Sequence, residues 1–213
     1  MSDPTLSPEA FADALARRVG EGRLIAALAG PPGAGKSTLA EAVAARLNAA
    51  RPDLCAILPM DGFHYDDQLL GPRGWRARKG APHTFDVGGL AATLRRLREN
   101  AEDEVAVPVF DRGLEIARAG ARLIPRQTPV ILVEGNYLLL DAAPWRDLRP
   151  LFDVTAAIRV ERATLQARLR ARWLGLGLSE AETDAKLAGN DLPNADLVLG
   201  ASAAPDFWVD GGV

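Results

Sequence analysis

Residues Gly30-Pro31-Pro32-Gly33-Ala34-Gly35-Lys36-Ser37-Thr38 follow directly on the apolar run Leu24–Ala29 and lead into a helix-forming stretch, Leu39–Ala50. The spacing G-x-x-x-x-G-K-[ST], between a short strand and a helix, is the pattern of a phosphate-binding loop. Glycines let backbone N–H groups turn inward around a phosphate, which a Cβ would obstruct. Lys36 has the reach to meet β- and γ-phosphates, and the Ser37 hydroxyl suits Mg²⁺. The helix adds its positive N-terminal end. Gly30, Gly33, Ala34, Gly35, Lys36, Ser37 and Thr38 are therefore the expected nucleotide contacts. The plain alternative is a Gly/Pro-rich turn with an exposed lysine, and the strand before and helix after speak against it.

The rest of the chain alternates strand and helix, which argues for an α/β fold with a parallel sheet covered on both faces. Ser7-Pro8-Glu9 opens a helix to about Val19, with Ser7 as N-cap. Further strands are expected at Leu54–Leu58, Val130–Val133, Val154–Val160 and Asp196–Leu199. Helices are expected over Val87–Asn100, Ala163–Leu174 and from Ser179 to about Ala188. Val105–Phe110 and Leu114–Ile124 read as short strands of an insert. At 213 residues this is one expected domain, 1–213, with an acceptor-side loop at about 61–86, an insert at about 105–125 and a lid at about 161–190.

Composition narrows the classes. The net charge of −3 gives no general attraction to nucleic acid or membrane. No apolar run approaches the roughly 20 residues that cross a bilayer. The start, Met1-Ser2-Asp3-Pro4-Thr5, lacks a basic and apolar secretory leader, and a cytoplasmic protein is expected. The single cysteine, Cys55, rules out an internal disulfide and reads as a small buried hydrophobe. Oligomeric state stays open, with a homodimer as one possibility.

In open parallel sheets ligands sit outside the carboxyl ends of the strands. Asp61, after the second strand, is the chosen general base for phosphoryl transfer to an alcohol, against the alternative of a turn cap. His64 is a second candidate base, or a substrate contact. Glu134, after the third strand, suits the Mg²⁺ side of a phosphate-loop site or the orientation of an acceptor. Gly135 would let backbone approach a ligand. Arg168 and Arg172 share one helix face and suit a lid closing over phosphates, against the alternative of a solvated basic face. Leu165, Leu169 and Trp173 form a packing stripe beside them. Gly175 and Gly177 are candidate hinges. The basic stretch Arg73–Gly80 suits an anion or closure over the site; its interleaved tryptophan is weak evidence for nucleic acid. Arg112 is a substrate-side candidate. Asn190 and Asn194, in a polar loop ahead of the expected last strand, are candidates for adenine contact.

Taken in order, these motifs resemble the P-loop kinases grouped with uridine kinase, phosphoribulokinase and bacterial pantothenate kinase. Met60-Asp61-Gly62-Phe63 looks like the base-bearing motif of pantothenate kinases. Arg78-Lys79-Gly80-Ala81-Pro82-His83-Thr84-Phe85-Asp86 is similar to their basic-glycine-proline-aromatic-Asp segment. Val133-Glu134-Gly135 matches their Glu-Gly after the third strand, and the Arg168/Arg172 helix resembles their lid. The resemblance implies a three-layer P-loop fold of strand order 2-3-1-4-5, ATP with Mg²⁺ as donor, and a small-molecule hydroxyl as acceptor. It places His64, Arg78, Lys79, Phe85, Asp86, Arg112 and Tyr137 on the acceptor side. Phe110-Asp111-Arg112, Gly135-Asn136-Tyr137-Leu138-Leu139 and Asn190-Asp191-Leu192-Pro193-Asn194-Ala195 resemble a compact subgroup of sugar kinases accompanying fructose transport, which makes fructose the leading acceptor. Pantothenate or a nucleoside is the alternative.

A rival of another class is a nucleotide-hydrolysing switch, since Asp86-Val87-Gly88-Gly89 spells D-x-x-G. No Asn-Lys-x-Asp guanine-reading motif occurs, and two histidines with one cysteine are too few for metal delivery.

Overall fold

The structure, a computed structural model, describes residues 5–211. Residues 1–4, on which the expectation of no secretory leader rests, lie outside the described residues.

In chain order the elements are β1 (Thr5–Leu6), α1 (Pro8–Ala16), β2 (Leu24–Ala29), α2 (Lys36–Ala50), β3 (Cys55–Pro59), α3 (Asp67–Leu70), α4 (Val87–Glu99), β4 (Glu104–Asp111), β5 (Ile116–Pro125), β6 (Val130–Gly135), β7 (Val154–Arg159), α5 (Arg162–Gly175), α6 (Glu180–Lys186), α7 (Leu192–Ala201) and β8 (Phe207–Asp210). One parallel sheet runs β1-β8-β7-β2-β6-β3, and β4 with β5 forms a separate antiparallel hairpin. Leaving out the edge strand β1, this is the expected 2-3-1-4-5 order, with the P-loop strand at the centre.

The two central strands, Leu-Ile-Ala-Ala-Leu-Ala and Val-Ile-Leu-Val-Glu-Gly, are buried at every position. Such continuous burial is what helices on both faces produce. Alternation sorts the side chains. Ile25, Ala27, Ile131 and Val133 pack on one face with Leu90, Leu94 and Leu97 of α4. Ala26, Leu28, Val130 and Leu132 pack on the other with Phe11 and Leu15 of α1 and Leu39, Val43 and Leu47 of α2. Cys55 is buried, and burial pushes its thiol up to about 12, so it is inert as read.

Local signals place most helix ends. Ser7 accepts from Ala10 N, and Ser179 forms a capping box with Glu182. Asn100 ends α4 in the left-handed conformation. One element is corrected. Asp196–Leu199, expected as the last strand, lies inside α7, and the fifth strand is β8. A short apolar run carries no period that separates strand from buried helix. The turn before α7 is π-helical over Leu187–Asp191, so Asn190 and Asn194 sit in helical turns, not in a loop ahead of a strand.

No helix among the described residues is long and apolar enough to cross a membrane.

Candidate active site

The carboxyl ends of β2, β3 and β6 bring three segments together. After β2 the phosphate loop turns through Gly33 (φ +79°) and Gly35 (φ +85°), backbone conformations that suit glycine. A Cβ on Gly33 would also lie 2.9 Å from Leu169 Cγ, because α5 packs directly on the loop. Lys36 and Ser37 open α2. The Lys36 ammonium donates to Pro31 O at 3.1 Å, and Ser37 Oγ donates to Glu134 Oε1 at 3.3 Å. Glu134, near the end of β6, is buried, and burial pushes its carboxyl above the usual range while the Lys36 charge opposes that shift. Burial lowers the Lys36 ammonium in turn, opposed by the charges of Glu134 and Asp61.

Asp61 sits in the 3₁₀ turn Met60–Phe63 that follows β3. The Arg112 guanidinium, at the β4–β5 turn, donates to its Oδ2 at 2.7 Å. A Cβ on Gly62 would lie 2.4 Å from Pro108 O, so glycine is what lets the hairpin lie against this turn. Between them opens a cleft of about 270 Å³ lined by Ser37, Glu41, Ile57, Pro59, Asp61, Val109, Phe110, Arg112, Arg122 and Glu134. The cleft brings Asp61, Arg112, Glu134 and Ser37 together as a single site. It also contains Glu41 on α2 and Arg122 on the hairpin, which sequence reading missed and no motif marks, and Phe110, which sequence reading knew only as part of the Phe110-Asp111-Arg112 string; the hairpin's docking puts the two hairpin residues there. A larger groove, about 580 Å³, lies between α1 and α2 near Leu54, at the amino end of β3 and away from this chemistry.

Several expected contacts fall elsewhere. Phe85 and Tyr137 are in the core, where Phe85 meets Tyr137 and Trp145 edge-on. Burial raises the Tyr137 phenol, whose hydroxyl donates to Gly80 O at 2.6 Å. Asp86 is the N-cap of α4, accepting from Gly89 N at 2.8 Å, so the apparent D-x-x-G is a helix start. His64 lies between Phe85 and Phe110, its ring 4.1 and 4.7 Å from theirs. Its Nδ1–H donates to Asp61 O at 2.8 Å, and burial lowers its pKa. It supports the cleft wall from behind. Gly135 is met by Met60, whose Cβ would lie 2.4 Å from an added Cβ, so its lack of a side chain serves packing and not a ligand. Lys79 Nζ donates to Asp67 and to Glu115 O, and the Arg78, Asn190 and Asn194 side chains meet one another.

On α5, Leu165 and Leu169 are buried as the stripe required. The Arg172 charge bears on Lys36 and on Asp191, and its guanidinium lies 5.2 Å from the Trp173 ring. Arg168 lies on the same helix, one turn earlier.

Among the described residues no group of three or more His, Cys, Asp or Glu forms a metal site. The Ser37 hydroxyl and Glu134 carboxylate are oxygen donors within hydrogen-bond distance of each other. That sparse set fits Mg²⁺, which is held by one or two protein oxygens with phosphates and water.

Sheet order, glycine loop, lysine and strand-end carboxylates define an α/β P-loop nucleotide-binding fold. Comparison with known proteins narrows this. No protein-family profile matches the chain. It is 34% identical over 192 residues to "Putative uridine kinase C227.14" of Schizosaccharomyces pombe, covering 87% of this chain and 82% of that one. It is 37% identical over 190 residues to "Uncharacterized protein YggC" of Escherichia coli, covering 88% and 78%. A crystal structure from Silicibacter sp. TM1040, described as a "putative fructose transport system kinase", shares 42% identity at a TM-score of 0.88 over 95% of this chain and 98% of that one. The chain belongs to the ATP-dependent P-loop kinases of the uridine kinase, phosphoribulokinase and pantothenate kinase-like group.

Proposed function

We propose that the protein transfers the γ-phosphoryl group of Mg·ATP to a hydroxyl of a small acceptor, with a sugar such as fructose as the leading candidate. The observation that carries this reading is that Asp61 lines the same cleft as Ser37 and Glu134, directly beside the phosphate loop. The cleft, about 270 Å³, is near the small end of ligand pockets, and Ile57, Pro59, Val109 and Phe110 line it beside a few polar groups.

The roles follow from the chemistry. Lys36 and the loop amides hold the phosphates. Asp61 accepts the proton of the acceptor hydroxyl as its oxygen bonds to the γ-phosphorus, while the bond from that phosphorus to the bridging oxygen breaks and ADP leaves. Arg172, with Arg168 on the same helix, offsets charge on the transferring group. Ser37 and Glu134 would hold Mg²⁺, whose contribution when bound is to neutralise phosphate charge.

Fructose leads because of the name of the relative from Silicibacter and the resemblance of Phe110-Asp111-Arg112 to the compact sugar kinases. A nucleoside is the second reading, supported by the name of the fission-yeast relative, and pantothenate remains the other alternative acceptor. The test is ADP release from Mg·ATP, alone and with fructose, pantothenate, uridine and ribulose 5-phosphate in turn. Stimulation by one compound is the expected result and names its class. A low background that none of them raises, with equal hydrolysis of GTP, would turn the reading toward a nucleotide switch.

A further inference from the structure

Residues 78–80 lie at a junction that the cleft chemistry does not explain. The Arg78 guanidinium donates to Gly189 O at 2.7 Å and to Asn194 Oδ1 at 3.3 Å. Asn190 Nδ2 donates to Lys79 O at 2.9 Å, and Asn194 Nδ2 donates to Asn190 Oδ1 at 3.1 Å. Asn194 is 3% exposed, so its amide is committed to this network. The partners span 111 to 116 residues of sequence.

Each end of the network reaches a working part of the site. On the lid side, the Trp173 indole donates to Asp191 at 2.6 Å, next to Asn190, and Trp173 is the neighbour of Arg172 on α5. On the cleft side, Lys79 Nζ donates to Glu115 O at 2.6 Å and lies 5.5 Å from the centre of the Phe110 ring. Phe110 and Arg112 form the cleft wall, and Arg112 holds Asp61. Tyr137 anchors the junction to the segment after β6 through Gly80 O. The lid side of the junction is π-helical over Leu187–Asp191, an irregularity that turns Gly189 O and the Asn190 side chain toward residues 78–79.

We propose that Arg78, Asn190 and Asn194 are positioning residues that transmit the state of the lid helix α5 to the hairpin wall of the acceptor cleft. The proposal rests on the kinase reading, in which nucleotide engages the phosphate loop and α5. When nucleotide fixes α5, the network fixes residues 78–80, and Lys79 then holds the Phe110–Glu115 segment in the geometry that presents Asp61. By reciprocity an occupied cleft would favour the same lid state. Simple glue between two segments would stabilise both without linking their responses, and that difference is measurable.

The experiment is amide hydrogen exchange on the full chain, with and without Mg²⁺ and a non-hydrolysable ATP analogue. In the wild type the analogue is expected to slow exchange at residues 33–37 and also at residues 110–115. Asn190→Asp keeps the acceptor for Asn194 but loses the donor to Lys79 O; Arg78→Lys keeps the charge but loses the planar fork. Both variants are expected to retain the slowing at 33–37, while the response at 110–115 shrinks by about fivefold or more, the low end of ordinary coupling between sites. Unchanged exchange in β2 and β6 shows that each variant is folded. An undiminished response at 110–115 in both variants overturns the proposal, as does a wild type in which 110–115 ignores the analogue. Failure to slow 33–37 in the wild type removes the kinase reading itself, and the proposal with it.

Discussion

Arg112 Nη2 and Asp61 Oδ2 meet at 2.7 Å although 51 residues separate them in sequence. The pair joins the hairpin to the turn after β3 and engages one oxygen of the carboxylate, whose second oxygen can accept a proton. Asp61→Asn is expected to lower turnover by about 10²–10⁴ with nucleotide affinity unchanged, the span of a general base. Steady-state kinetics with a responding acceptor checks this, and intact turnover would remove Asp61 from the role. Arg112→Ala is expected to raise KM and lower kcat while changing stability by less than about 1 kcal/mol, as for an exposed pair.

Lys36→Ala separates binding from folding. Burial disfavours the ammonium, and Glu134 and Asp61 oppose that shift; in the proposed function its role is to hold the phosphates. The variant is expected to lose nucleotide affinity and turnover together while its Tm stays within a few degrees of wild type. Nucleotide titration and thermal melting check both.

Two glycine substitutions are expected to give opposite kinetic signatures. Gly62→Ala drives a Cβ to 2.4 Å from the Pro108 carbonyl oxygen, a backbone atom that yields only if the hairpin moves. It is expected to impair acceptor KM and kcat while nucleotide affinity holds. Gly33→Ala places a Cβ 2.9 Å from Leu169 Cγ at a φ of +79°, and is expected to weaken nucleotide binding first. Each is expected to cost about 1–3 kcal/mol, as overpacking does. Denaturant unfolding and separate KM values for the two substrates measure the contrast.

His64 gives a pH signature. Its pKa is lowered below 6.5 mainly by burial, so the unfolded chain binds the proton more readily than the folded one. Stability is therefore full above 6.5 and falls as pH drops from 6.5 toward the folded-state pKa. His64→Asn is expected to flatten that part of the stability–pH curve. Equal slopes for wild type and variant in denaturant unfolding would exclude His64 as the cause.

How much of this was legible in the chain depended on the range of the physics. The phosphate loop, the N-caps at Ser7 and Ser179 and the apolar strands at Leu24–Ala29 and Val130–Val133 are set by residues adjacent in sequence, and their patterns read directly. The positions of Asp61 in the turn after the second strand and of Glu134 near the end of the third followed from the same local patterns. Asp196–Leu199 misled, since three apolar residues after an aspartate have no period of their own. Phe85 and Tyr137 looked like substrate contacts because aromatic residues beside a basic motif read the same in either role. Only packing decided that they are core and that Asp86 is a cap. Glu41 and Arg122 could not be found at all, because the cleft exists only when the β4–β5 hairpin lies against Gly62. Sequence determined most local conformations and placed Asp61 and Glu134 at strand ends. Tertiary structure decided which distant side chains share the cleft, because those contacts depend on how rigid elements dock and leave no pattern along the chain.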